Sequence, residues 1–126
     1  MIKGTIQIFD LEALVLFDPG ATHSFISPSF AHKLLKYVKP TLLDKMLIIS
    51  KPINDSQLTE YVCRDCKLKI EGKEMIANLI LLNMNDFDVI LGMDWLATNR
   101  VVMDCHAKTL MFSGLDNLIV NFDEKK

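Results

Sequence analysis

Apolar residues along this chain fall into short runs at close spacing. Gly4 to Phe9 and Ala13 to Phe17 are rich in Ile, Val, Leu and Phe and are joined by Asp10-Leu11-Glu12, the length of a hairpin connection, so the pattern predicts two paired strands. The second run meets Asp18-Pro19-Gly20, where Pro fixes φ and Gly lets the backbone reverse, and the strand must end in a turn. Ser27-Pro28 has the signature of a helix cap and first turn, and Phe30, Ala31, Leu34 and Leu35 follow at helical spacing. Between Met46 and Glu60, the run Met46 to Ile49 and the polar turn Lys51 to Ser56 predict the two arms of a hairpin. Cys66, Leu68 and Ile70 then alternate with Lys67, Lys69 and Glu71, the period of a half-buried strand, before a turn at Glu71-Gly72-Lys73.

Met75 to Leu82 and Phe87 to Leu91 read as buried strands separated by Asn83-Met84-Asn85-Asp86, and Gly92 closes the second. Met93 to Thr98 predicts a short helix; Val101 to Cys105 and Thr109 to Phe112 predict strands flanking a His106-Ala107-Lys108 turn. The sum is seven or eight strands and two short helices. Such close strand spacing predicts a mainly β, mainly antiparallel domain that closes on itself, a single domain over residues 1–126 with a frayed polar tail from Asp123 to Lys126.

Composition narrows the function classes. Half of the 126 residues are apolar, enough for a real core, and 14 Lys and Arg against 16 Asp and Glu give a formal charge of -2 with no basic block, which argues against a nucleic-acid partner. The longest apolar stretches, Ala13 to Phe17 and Ile76 to Leu82, fall far short of the roughly 20 residues of a membrane span. With no leader pattern and an odd count of three Cys, the expectation is a reduced, intracellular and cytoplasmic protein without membrane contact.

The chemistry concentrates on Asp18, an acid placed directly after five apolar residues where a buried strand meets a Pro-Gly turn. By itself Asp-Pro-Gly is most often a simple turn cap. Beside a second carboxylate, however, such an acid would form a proton-sharing dyad, in which the ionised member takes a proton from water and the protonated member hydrogen-bonds a substrate carbonyl. Cys63-x-x-Cys66 and Cys105-His106 raise the question of a zinc site, but residues three apart on an extended strand face opposite sides of a sheet and no glycine knuckle separates the two cysteines. Reduced thiols in or near the core, and no metal or cofactor, are the expectation. His23 and His32 read as a loop and a helix histidine, Ser24 and Ser27 lack an organised base, and Trp95, Phe25 and Phe30 read as core aromatics.

Two strings change the weight given to Asp18. Val15-Leu16-Phe17-Asp18-Pro19-Gly20-Ala21-Thr22-His23-Ser24-Phe25-Ile26-Ser27, followed at long range by Asp88-Val89-Ile90-Leu91-Gly92-Met93-Asp94-Trp95-Leu96, resembles the retropepsin-like aspartic protease segment of retrotransposon polyproteins, especially of the Ty3/gypsy type found in plants. The resemblance implies a compact retropepsin-like β domain whose catalytic acid is Asp18, with Gly20 as the turn glycine, and Ala21 and Thr22 lining the substrate strand. Ile53, Asn54 and Asp55, in the hairpin near Pro52 to Ser56, would form a flap over the substrate. It further implies a polypeptide substrate, polyprotein processing within a retroelement particle, and a symmetric homodimer, because the chain carries one Asp-x-Gly element and a dyad needs two. Asp88 and Asp94 are expected to stabilise a turn and a helix rather than to catalyse. Pro19 stands where the family has Ser or Thr, whose hydroxyl bonds across to the partner's loop, and the flap lacks the expected Gly. The alternative consistent with these departures is a weakly active or inactive module of the same fold that dimerises or binds peptides.

Overall fold

The computed structural model describes the backbone of residues 1–50 and 56–122 and the side chains of 1–45 and 59–122. The first hairpin joins β1 (Ile2–Ile8) to β2 (Leu11–Phe17) in full antiparallel register, from Ile2 opposite Phe17 to Ile8 opposite Leu11. Alternation does the rest: Ile2, Ile6, Ile8, Ala13, Val15 and Phe17 point into the core, and Lys3, Thr5, Glu12 and Leu14 point out. After the Asp18 loop come β3 (Phe25–Ile26), α1 (Pro28–Lys33), β4 (Thr41–Ser50), β5 (Ser56–Ile70), β6 (Lys73–Leu81) and β7 (Val89–Leu91). Ser27 caps α1, its hydroxyl accepting the Phe30 amide at 3.2 Å.

These strands form one seven-stranded sheet in the order β1-β2-β7-β3-β6-β5-β4, and an additional pairing of β1 with β5 curls it toward closure. Two pairings are parallel, β2 with β7 and β3 with β6, against the mainly antiparallel remainder. The helix α2 (Met93–Thr98) leads to a second, three-stranded sheet made of β8 (Val101–Asp104), β9 (Thr109–Phe112) and β10 (Leu118–Asn121), in the order β10-β9-β8. Its inward residues Leu110, Phe112 and Val120 complete the main core. The Trp95 and Phe112 rings meet edge to face at 6.1 Å, and the Phe17 and Phe122 rings lie 5.0 Å apart, so this sheet packs directly under the strand that ends at Asp18. The architecture is a mainly β, closed barrel-like domain with two short helices, as the spacing of apolar runs predicts. No helix among the described residues is long and apolar enough to cross a membrane.

Several elements depart from the sequence reading. Among the described residues ten strands are present rather than seven or eight: two-residue β3 is too short to show a period, and β10 lies in a stretch without clean alternation. β5 is one strand of fifteen residues rather than a flap arm followed by a separate strand. Leu35, placed by spacing on the buried helix face, lies beyond the end of α1 and is exposed.

The expectation that Cys63 and Cys66 face opposite sides is overturned by a β-bulge. Cys63 pairs with Leu79 and Cys66 with Ala77, so one extra residue is inserted in β5, and Asp65 takes a left-handed φ of 56°. Both thiols consequently point into the core, reduced and fully buried. Among the described residues no group of three or more His, Cys, Asp or Glu is arranged to hold a metal ion. The expected flap turn at Ile53, Asn54 and Asp55 and the tail from Asp123 lie outside the described residues.

Candidate active site

The loop after β2 is built from below. Leu91 of β7 accepts the Asp18 amide on its carbonyl at 2.9 Å, continuing the parallel pairing of Phe17 with Leu91 by one more bond. The Asp18 carbonyl in turn accepts the Ala21 amide at 3.1 Å, which closes a tight turn over Pro19 and Gly20. Inside that turn the Gly20 amide donates to Asp18 Oδ1 at 2.9 Å, and an added Cβ at Gly20 would lie 3.1 Å from the same oxygen. Asp18 is half-buried, while Pro19, Gly20 and Thr22 are exposed. The Gly20 amide is the only hydrogen-bond partner of the Asp18 carboxylate among the described residues.

Below the loop the contacts become dense. Gly92 comes so close that a Cβ there would stand 2.2 Å from the His23 carbonyl oxygen and 2.6 Å from that of Ala21, so only glycine fits. The Met93 amide donates to Ala21 O at 2.7 Å. Ser24, buried, accepts the Gly92 amide on its hydroxyl at 3.0 Å and donates that hydroxyl to Asp94 Oδ1 at 2.7 Å; the same carboxylate oxygen accepts the Trp95 amide. Ser24 is therefore a structural tie and not a nucleophile, since its partners are a carboxylate and a backbone amide rather than a histidine. Asp94 serves the start of α2, as expected, whereas Asp88, expected to stabilise a turn, instead ties β2 to the segment before β7 by accepting the Leu14 amide on Oδ2 at 2.8 Å.

Of the four loop residues singled out in the sequence, all lie on this one turn. Ala21 is half-buried against a second apolar cluster formed by Phe25, Val62, Ile80 and Leu82, with Leu43, Met84 and Ile90 beside it. Thr22 projects outward, its hydroxyl 2.9 Å from His23 Nδ1. Phe25, a core aromatic by its sequence, belongs to this cluster, which is separate from the main core and adjoins the loop. Ile90 pairs with both Leu16 and Phe25 and yet is only half-buried, an arrangement that no local period in the sequence announces. Ile90 and Met84 also line an open hollow of about 860 Å³ with Pro28, Ser29, Leu82 and Asn83 to Asp86. A hollow of about 580 Å³ near Phe9, Tyr37 and Arg64 shares no residue with the Asp18 loop. The arrangement presents one carboxylate at an exposed lip beside an apolar wall, on a rigid floor. Chemically it supplies one acid or base, half of what a carboxyl dyad requires.

A family model described as retroviral aspartyl protease matches residues 1–117. No curated protein matches the chain. Among solved structures, the retroviral protease-like domain of Ddi1 from Leishmania major superimposes with a TM-score of 0.71 at 16% identity, covering 99% of this chain and 95% of that one. The EIAV protease complexed with the inhibitor HBY-793 gives a TM-score of 0.59 at 20% identity, over 76% of this chain and 85% of its own. The first of these likenesses spans nearly the whole chain, and together they establish the fold.

Proposed function

Since the chain belongs to the retroviral aspartyl protease family, we propose that it is an aspartic endopeptidase in which Asp18 of two identical chains activates a water molecule against a peptide carbonyl. The observation that carries this reading is the state of the Asp18 carboxylate: fixed through its backbone and the Gly20 amide, half-buried, and set beside the exposed Pro19, Gly20 and Thr22. One carboxylate ionised and one protonated suffice for hydrolysis without a covalent intermediate. Ala21 and Thr22 would flank the bound polypeptide, and Ile53, Asn54 and Asp55 would form the flap that covers it. The polyprotein of a Ty3/gypsy-type element is the substrate that the two sequence strings favour, with processing in a cytoplasmic particle.

Pro19 favours a second reading, a peptide-binding or dimerisation module with weakened hydrolysis, because proline offers neither a hydroxyl nor an N-H to a partner loop. A cleavage assay separates the two. Native protein at high concentration, mildly acidic pH and high salt should cut an unstructured polypeptide or a tandem precursor, with inhibition by pepstatin, and Asp18→Asn should abolish the cut. Equal inactivity of both proteins under these conditions would leave the binding module as the function.

A further inference from the structure

The Cys63-x-x-Cys66 pair is used by neither the proposed active site nor any metal cluster, and the fold treats it in an unusual way. Leu79 and Ala77, the partners of the two cysteines on β6, are alternate residues on one strand. The bulge thus gives two residues three apart the separation of neighbours on one face, about 6.8 Å from two strand rises, at the upper edge of the roughly 4.4–6.8 Å spanned by disulfide-bonded Cα atoms. The bulge is itself held: the Asp65 amide, out of ladder register, donates to Asn78 Oδ1 at 2.9 Å. The Cys66 sulfur lies 3.6 Å from the Cys63 carbonyl oxygen. The proximity of the two sulfurs holds Cys63 below the ordinary thiol range and, together with burial, Cys66 above it.

We propose that Cys63 and Cys66 form an internal dithiol that a small peroxide oxidises to a disulfide held by the β5 bulge. The Cys63 thiolate attacks one peroxide oxygen and breaks the O–O bond, giving a sulfenic acid and hydroxide. The Cys66 sulfur then attacks the Cys63 sulfur, the S–O bond breaks, and the departing hydroxide takes the Cys66 proton as water. Two thiols are oxidised, one peroxide is reduced to two waters once the first hydroxide is protonated, and one S–S bond forms. Cys105 is exposed, its sulfur 3.3 Å from the Met1 amino group, whereas each buried cysteine has the other beside it in the core as the resolving thiol. The consequence reaches the site: Val62, next to Cys63, belongs to the apolar cluster against Ala21.

Both buried thiols need a local opening to meet peroxide, so equilibrium rather than rate is the discriminating measurement. Full-length protein carrying Cys105→Ser is equilibrated in dithiothreitol redox buffers, natively and in concentrated urea, after brief peroxide treatment, and the Cys63–Cys66 state is read by alkylation and peptide mapping. The expected result is a Cys63–Cys66 linkage in the folded protein that requires roughly tenfold or more reducing buffer to open than in urea, because a bulge that fits the disulfide is stabilised by it. A linkage equally or more easily reduced when folded, or mapping that finds only free or over-oxidised Cys63 and Cys66, overturns the proposal. Neither outcome depends on whether the protein cleaves peptides.

Discussion

The floor and the lip of the Asp18 loop are made of neighbouring residues and obey opposite rules. In the floor, Ser24, Gly92 and Asp94 satisfy one another through a buried hydroxyl that accepts one bond and donates another, and Gly92 is packed too tightly for any side chain. At the lip, Pro19, Gly20 and Thr22 are exposed, and the Asp18 carboxylate meets one amide of its own chain. A finished floor under an unfinished lip is what a half-site requires. The chain uses its own hydrogen bonds to fix where Asp18 stands, and in the proposed enzyme the contacts above it would fall to a second chain and a substrate. Changes in the floor should therefore act on folding, and changes at the lip on activity and association.

The largest effect expected is on activity alone. Asp18→Asn should lower peptide hydrolysis by about 10³-fold or more, since it removes the ionisable group of a general acid-base pair, while shifting stability in urea by less than about 0.5 kcal/mol, as for a surface change away from packing. A large loss of stability would show that Asp18 belongs to the floor after all. Gly92→Ala should do the reverse. Its Cβ would press on two carbonyl oxygens at 2.2 and 2.6 Å, and overpacking against backbone should cost about 3 kcal/mol or leave the protein unfolded, measured by chemical denaturation. Ser24→Ala should follow at about 2–3 kcal/mol, because it strands the buried Gly92 amide and one bond of Asp94. A cost below about 0.5 kcal/mol would mean that water replaces the hydroxyl and that the floor is less closed than its burial implies.

The sequence made the lip legible and left the floor largely unread. Asp18 and Gly20 stand where a turn signal ends an apolar run, and the family resemblance adds Ala21 and Thr22 directly after them, so all four are named without knowledge of the fold. The floor joins residues about seventy positions apart, Ser24 with Gly92 and Asp94. Nothing local in either segment announces that the serine hydroxyl will face the glycine amide. The helices and the β1–β2 hairpin were readable because each repeats its own period. β3 and the parallel pairs exist only because β6 and β7 arrive beside them from elsewhere. Cys63 and Cys66 failed for the opposite reason. The alternation rule was applied across a bulge, and a left-handed Asp65 is invisible to a period-two pattern.

Pro19 offers the finest test of the division between floor and lip, because one substitution there should move two quantities in opposite directions. Pro19→Thr places a hydroxyl at an exposed position of the lip and returns an N-H to the turn. A hydrogen bond across the two-fold axis, worth about 1 kcal/mol net, would lower the dimer dissociation constant roughly fivefold by sedimentation equilibrium. The isolated monomer should lose about 0.4–1 kcal/mol in urea, since threonine leaves the unfolded chain freer than proline does. Tighter association together with a weaker monomer places residue 19 at an interface. Weaker folding without tighter association would mean that the lip is completed by substrate alone, and the two-chain site would have to be held together by some other surface.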